Sequence, residues 1–153
     1  MPVIEFEKEF LATRGQPFEK NGTTYYLMYT IPLENSQTLF IEFQSAKPPY
    51  RQGIHLESDQ PLRIAGKESQ AMLLWYDTAP RRVEVDCTGC SSVRIWNVWD
   101  TGDATVHSWH YGAAMIVEPI GDRSWLFRCN DGHPDDACDD LIFRVYLGPP
   151  PSI

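Results

Sequence analysis

No block of lysines and arginines occurs anywhere in this chain. Its 13 basic residues are scattered among 21 acidic ones, Arg81-Arg82 is the densest basic spot, and the formal charge is −8. A duplex or a long RNA is repelled on average, and so is an anionic membrane surface, so neither nucleic acid nor membrane is expected as a partner. No apolar run approaches the roughly 18 residues that a membrane span needs. There is no internal repeat, no low-complexity tract and no linker. Cysteine is scarce as well: four in 153 residues are too few for a disulfide scaffold. The N-terminus, Met1 to Phe10, lacks the basic start and apolar stretch of a signal peptide. The expected location is cytoplasmic if Met1 is the native start, and secreted if a signal peptide has been removed.

The usual catalytic signatures are missing too. There is no Gly-x-Ser-x-Gly, no phosphate loop, no His-Glu-x-x-His and no dinucleotide fingerprint. Glu57, Asp59, Glu84 and Asp100 have no context that marks a pair of them for glycosidic cleavage.

What the chain does have is punctuation and aromatic mass. Twelve prolines and ten glycines break it at short intervals, alongside five Trp, seven Tyr and seven Phe. Short strands are favoured over long helices. Arg82 to Cys87 alternates strictly, with Val83, Val85 and Cys87 on one face. Ser92 to Asp100, Ser124 to Asn130 and Leu141 to Leu147 follow the same period. Gln70 to Tyr76 is apolar on both faces, as a central strand would be. Tyr25 to Ile31, Thr38 to Phe43, Gly53 to Glu57 and Leu62 to Ala65 complete the set, and Ile4 to Phe10 reads as a further strand from the alternation of Ile4 and Phe6 with Glu5 and Glu7. Asn21-Gly22 suits a two-residue hairpin turn. About ten short strands at this spacing predict an all-β chain, a two-sheet antiparallel β-sandwich of jelly-roll-like form. Residues 1–148 form one domain, and 149–153 a Pro-rich tail.

The most informative segment is Cys129 to Phe143. It carries Asp131, Asp135, Asp136, Asp139 and Asp140 between two strands. Carboxylates this crowded repel one another unless a cation, a basic partner or water relieves them, and calcium is bound by loops of Asp, Asn and backbone carbonyls. Asp135-Asp136-Ala137-Cys138-Asp139-Asp140-Leu141-Ile142-Phe143 resembles the acidic signature that opens the last strand of a group of bacterial jelly-roll-like domains. Ala137 stands where that signature has its middle acidic residue, and Cys138 where it has an aromatic. The resemblance implies calcium at this motif, in a fold common in secreted and surface proteins, and the crowded loop offers Asp131, Asp135, Asp136, Asp139 and Asp140 as its ligands. The plain alternative is an exposed acidic loop that ends strand pairing and aids solubility.

Cys87-Thr88-Gly89-Cys90 offers a zinc alternative, with Cys129, Cys138 and His133 as the second half, although no second Cys-x-x-Cys is present. Cys129 and Cys138 could instead close the acidic loop as a disulfide, or all four thiols could pack as small hydrophobes. His107-Ser108-Trp109-His110-Tyr111, read as a strand, sets His107, Trp109 and Tyr111 on one face and His110 on the other, so the two histidines do not chelate together. Trp96, Trp109 and Tyr111 are the candidates for an aromatic platform that would stack on a sugar, while at least three of the five Trp are expected in the core.

Three functions follow as expectations: a β-sandwich module binding a small molecule, a carbohydrate or a protein, with a calcium-ordered acidic loop; a jelly-roll-type metalloenzyme using His55, His107, His110 or the cysteines; or a structural protein that assembles into a homo-oligomer through sheet edges. Under the first, millimolar calcium raises the midpoint of a thermal melt and EDTA lowers it, whereas an unmoved midpoint removes the cation. Elemental analysis of the purified protein separates calcium, zinc and metal-free forms.

Overall fold

The computed structural model describes residues 3–34, 37–133 and 135–148. The Pro-rich tail at 149–153 lies outside the described residues. Among the described residues one short helix, α1 (Phe6–Thr13), precedes eleven strands: β1 (Phe18–Lys20), β2 (Thr23–Tyr25), β3 (Tyr29–Pro32), β4 (Thr38–Ala46), β5 (Arg51–Ile64), β6 (Lys67–Trp75), β7 (Arg82–Asp86), β8 (Ser92–Asp100), β9 (Ala114–Gly121), β10 (Ser124–Asn130) and β11 (Leu141–Leu147). Every strand pair is antiparallel. The large sheet runs β3-β8-β5-β7-β4-β11-β10-β9, with β6 added to the side of β5. Tyr26, just before β3, bridges Met115 of β9 and brings the two ends together, so the sheet is a nearly closed, barrel-like β structure.

The interior follows the alternation of the strands. Leu39, Ile41 and Phe43 of β4, Val83 and Val85 of β7, Val93 and Ile95 of β8 and Phe143 and Val145 of β11 are all buried in one cluster. Phe127 and Phe143 stack at its centre, 4.7 Å between rings. Asn21 and Gly22 carry the expected hairpin turn, with φ of 54° and 82°. Those positive angles are the reason Asn-Gly suits the position.

Several expectations need correction. Ile4 to Phe10 is not a strand: Phe6 and Phe10 sit one helical turn apart and are both buried, packing with Phe18 and Tyr25 in a second, smaller core beneath α1. Period-2 alternation over so few residues is shared by a helix that buries i and i+4, and here the aromatic pair decides. Gly53 to Glu57 and Leu62 to Ala65 belong to one long strand, β5, with a register shift between them. Tyr25 to Ile31 divides between β2 and β3. Gln70 to Tyr76 is no central strand, because β6 pairs with β5 alone among the described strands. The strand β9 has no counterpart among the expected strands. It holds Pro119 and lies at the end of the sheet order, where a missing backbone donor costs little.

β6 leans on Gly53. A Cβ there would fall 2.7 Å from Trp75 Cε3 and 2.9 Å from the Leu74 carbonyl. Gly53→Ala is therefore expected to push β6 off β5 and cost about 1–3 kcal/mol, a drop of several degrees in Tm by calorimetry. An unchanged Tm would mean that β6 contributes nothing to the fold.

Candidate functional site

β8 is longer than the strand beside it. β3 pairs with β8 only over Ser92 to Ile95, which leaves the edge from Trp96 to Asp100 uncovered by a regular strand. The following segment folds back to cover it. Asp100 accepts the Gly102 N–H at 2.8 Å and Asp103 accepts the Thr105 N–H at 3.0 Å, two side-chain turns that reverse the chain. His107 then exchanges both backbone hydrogen bonds with Trp99, at 2.8 and 3.0 Å.

Past this bridge the segment is a turn, not a strand, and that overturns the expected separation of the two histidines. Trp109 and Tyr111 both adopt left-handed backbone, with φ of 63° and 55°. For bulky residues this costs roughly 1–2 kcal/mol each. The kink at Trp109, which lies between the two histidines, goes with a His107 Nδ1 to His110 Nε2 distance of 3.2 Å, and His110 stands against Trp99. Burial, aided by His107 and opposed by Glu7, pushes the His110 imidazole below its usual pKa. Trp109 folds over the outer face of β8 onto Trp96, 4.6 Å between rings, and Trp96 in turn stacks on His55 at 4.1 Å. Burial also lowers the His55 pKa, against the pull of Glu57.

The platform expected of Trp96, Trp109 and Tyr111 is thus divided. Trp96 is buried under its two neighbours, whereas Trp109 and Tyr111 remain 48% and 62% exposed. Of the other three Trp, Trp99 is buried and Trp75 and Trp125 pack half-buried against the core. Tyr111 stands between two clefts. One, of about 710 Å³, is walled by Ile4, Phe6, Glu5, Glu7, Tyr111 and Asp135. The other, of about 520 Å³, runs along Phe10, Leu11, Arg14, Trp109 and Tyr111. The Tyr111 N–H donates to Glu7 Oε2 at 2.8 Å, tying the turn to α1. Glycine is required at the next position, since a Cβ on Gly112 would lie 2.5 Å from the His133 carbonyl.

Beneath the turn is a buried polar knot. The Asn130 amide donates to the carbonyls of Gly112 at 2.8 Å and Asp135 at 2.6 Å, and its Oδ1 accepts the Cys138 N–H at 3.2 Å. The Asn130 carbonyl accepts from Asn97 Nδ2 at 3.0 Å. Asp131 accepts from Gln52 Nε2 and from the His133 N–H, both at 2.8 Å. Asp140 accepts the Asp131 N–H at 3.0 Å.

The same pattern extends through the acidic loop. Asp136 accepts the Ile4 N–H at 3.0 Å, Asp135 accepts the Ala137 N–H at 3.1 Å and faces His133 Nδ1, and Asp139 pairs with Lys47. Each of the five carboxylates is thus held by a donor of the protein itself. The zinc candidates fall into separate places: Cys87 neighbours Cys90, Cys129 neighbours Cys138, and His133 turns to Asp135. Among the described residues no group of three or more Cys, His, Asp or Glu side chains is arranged to hold a metal ion. The four cysteines are free and buried. Burial pushes the Cys87 and Cys138 thiols up to about 12 and raises Cys129 well above its ordinary value, so these three stay protonated at neutral pH.

Gln52, Asn97, Asn130 and Glu7 were not singled out by sequence reasoning. Isolated amides inside apolar strands were the available signal, because a buried Asn or Gln must find partners. Comparison with family models, curated proteins and solved structures finds no match.

Burial, with Asp131, Asp135 and Asp139 nearby, raises the Asp140 pKa to about 6 despite the Asp131 N–H bond. The raised value means that the folded state binds the proton more tightly than the unfolded chain does. Its contribution to stability is complete below about pH 4 and is lost as pH rises through about 6. Asp140→Asn keeps an acceptor oxygen and removes the charge. We expect it to stabilise the protein at pH 7.5 by on the order of 1 kcal/mol and to have little effect at pH 4. Equal effects at both pH values in denaturant melts would show that Asp140 titrates like an exposed carboxyl.

Proposed function

We propose that this chain is a carbohydrate-binding module whose ligand rests on Trp109 and Tyr111 and extends into the clefts beside α1. The observation that carries this reading is the cost at which the two rings are displayed. Trp109 and Tyr111 are large, exposed and in left-handed backbone, while Glu7, Asn130 and the His107–Trp99 bridge fix the turn around them. Strain retained beside a cleft is the usual mark of a used surface. The chemistry fits a saccharide: aromatic faces for the ring carbons, and Glu5, Glu7 and Asp135 as acceptors for hydroxyls. In this reading the acidic loop is a self-contained clasp that fastens the first cleft, its carboxylates satisfied by protein donors. We also read the sheet as two layers, β6-β5-β8-β3 facing β7-β4-β11-β10-β9; in support, β5 and β7 join through the single pair Arg63–Asp86.

Screening the protein on a glycan array and titrating the best soluble oligosaccharide by calorimetry tests the proposal. Trp109→Ala is expected to weaken binding about tenfold, near 1.4 kcal/mol. Tyr111→Gly is the sharper variant, because it removes the ring and also relieves the left-handed strain. It should abolish binding while leaving Tm equal to or above that of the parent. An array without hits, or a Tyr111→Gly protein that binds normally, overturns the assignment. A strongly lowered Tm in that variant would make Tyr111 a structural residue instead.

A further inference from the structure

We infer that His107 and His110 form a proton-operated latch on the turn that displays Trp109 and Tyr111, shut while the pair holds at most one added proton and opened by a second. His107 Nδ1 and His110 Nε2 stand 3.2 Å apart, and a hydrogen bond between two ring nitrogens needs one N–H and one bare nitrogen. With both rings neutral, the His110 Nε2–H donates to His107 Nδ1, and the His107 Nε2–H points to Asp103 Oδ2, 3.5 Å away. One added proton is accommodated as well: the His107 imidazolium donates from Nδ1 to a bare His110 Nε2 and keeps Asp103 as its counter-ion. A second leaves N–H facing N–H between two cations, and the bond is lost.

The surroundings do little to relieve that second charge. Asp103 lies on the His107 side, where the Thr105 N–H, with His107, holds its carboxyl below the usual range. Around His110, β8 presents the neutral ring of Trp99 at 5.4 Å between centroids, and the turn itself presents the ring of Tyr111 at 4.3 Å. From α1 come Glu7 and Arg14, which wall the same cleft as His110 and carry opposite charges. Glu7 already accepts the Tyr111 N–H through Oε2. Beyond Trp109 and Trp96 lie His55, Glu57 and Arg94, with Glu57 set against both of the others.

The turn is built to yield at one place. His107 is held by its two backbone hydrogen bonds to Trp99, and Gly112 by the Asn130 amide. Between these anchors Trp109 and Tyr111 sit in left-handed backbone, so letting go of His110 relaxes strain rather than adding it. Trp109 then lifts from Trp96, on which it rests at 4.6 Å between rings. The shut state binds one proton fewer than the open one, in which both histidines titrate as exposed rings. It is therefore favoured above about pH 6.5 and loses up to about tenfold against the open state for each pH unit below that. Release of a saccharide in acid follows, and that consequence alone rests on the carbohydrate reading.

The test uses the full chain without ligand, so a glycan screen that fails leaves it untouched. Nitrogen NMR of the histidine rings, from about pH 7.5 down to about pH 5, is expected to show one member of the pair protonating before the other, with the Trp109 indole signal moving in the second step. Tryptophan emission should change over the same range while the far-UV circular dichroism stays constant. His110→Gln keeps a hydrogen-bonding side chain but takes up no proton, and it should remove that change, whereas His55→Gln should retain it. Flat emission across the range, an unaltered transition in His110→Gln, its disappearance in His55→Gln, or loss of the sheet signal along with the emission overturns the inference. So does a pair that becomes doubly cationic while the Trp109 indole signal stays in place, a result read on the unmutated chain even if a variant fails to fold.

Discussion

One carboxamide holds the candidate site together. Asn130 is fully buried, and both ends of its side chain are used. A buried amide left unpaired costs more than a paired one contributes, so the groups around it have little freedom to be elsewhere. Through it the end of β10 fixes two irregular segments at once: the aromatic turn at Gly112, and the acidic loop at both Asp135 and Cys138. Asn97 reaches in from β8 to the backbone of the same residue. The loops are irregular in shape but not in attachment.

That constraint explains how an acidic chain can crowd five aspartates into one loop. Four of the five carboxylates cap backbone N–H groups, and Asp139 pairs with Lys47 instead. The energetic penalty is concentrated at Asp140, which is nine-tenths buried and surrounded by like charge. Crowding is tolerated because most members face water on one side and an N–H, Lys47 or Gln52 on the other. Strain is stored in the same neighbourhood, in the backbone at Trp109 and Tyr111. Both costs are borne by the rigid strands below.

The fold was legible where packing repeats and obscure where it does not. Val83, Val85, Phe127, Phe143 and Val145 declare their strands because one face is dry and the period is two. The hairpin at Asn21-Gly22 could be read because only a few residue pairs tolerate its backbone. Phe6 and Phe10 misled because four residues of alternation fit either period, and their partners, Phe18 and Tyr25, come later in the chain. The site was harder still. Trp109, Tyr111 and the acidic loop stood out by composition, yet the approach of His107 to His110 goes with a left-handed Trp109 between them that nothing local requires. Gln52 and Asn130 become interesting only when β5 and β10 are known to converge.

The buried thiols have a use beyond packing. Cys138 belongs to the small core beneath α1, whereas Cys87, Cys90 and Cys129 belong to the large one. Each is shut away from solvent, and a thiol reagent gains access only when its own cluster opens. The molecule therefore carries two internal clocks, one for release of the N-terminal helix and one for opening of the sheet. If α1 lifts away while the sheet stays shut, the two run at different rates.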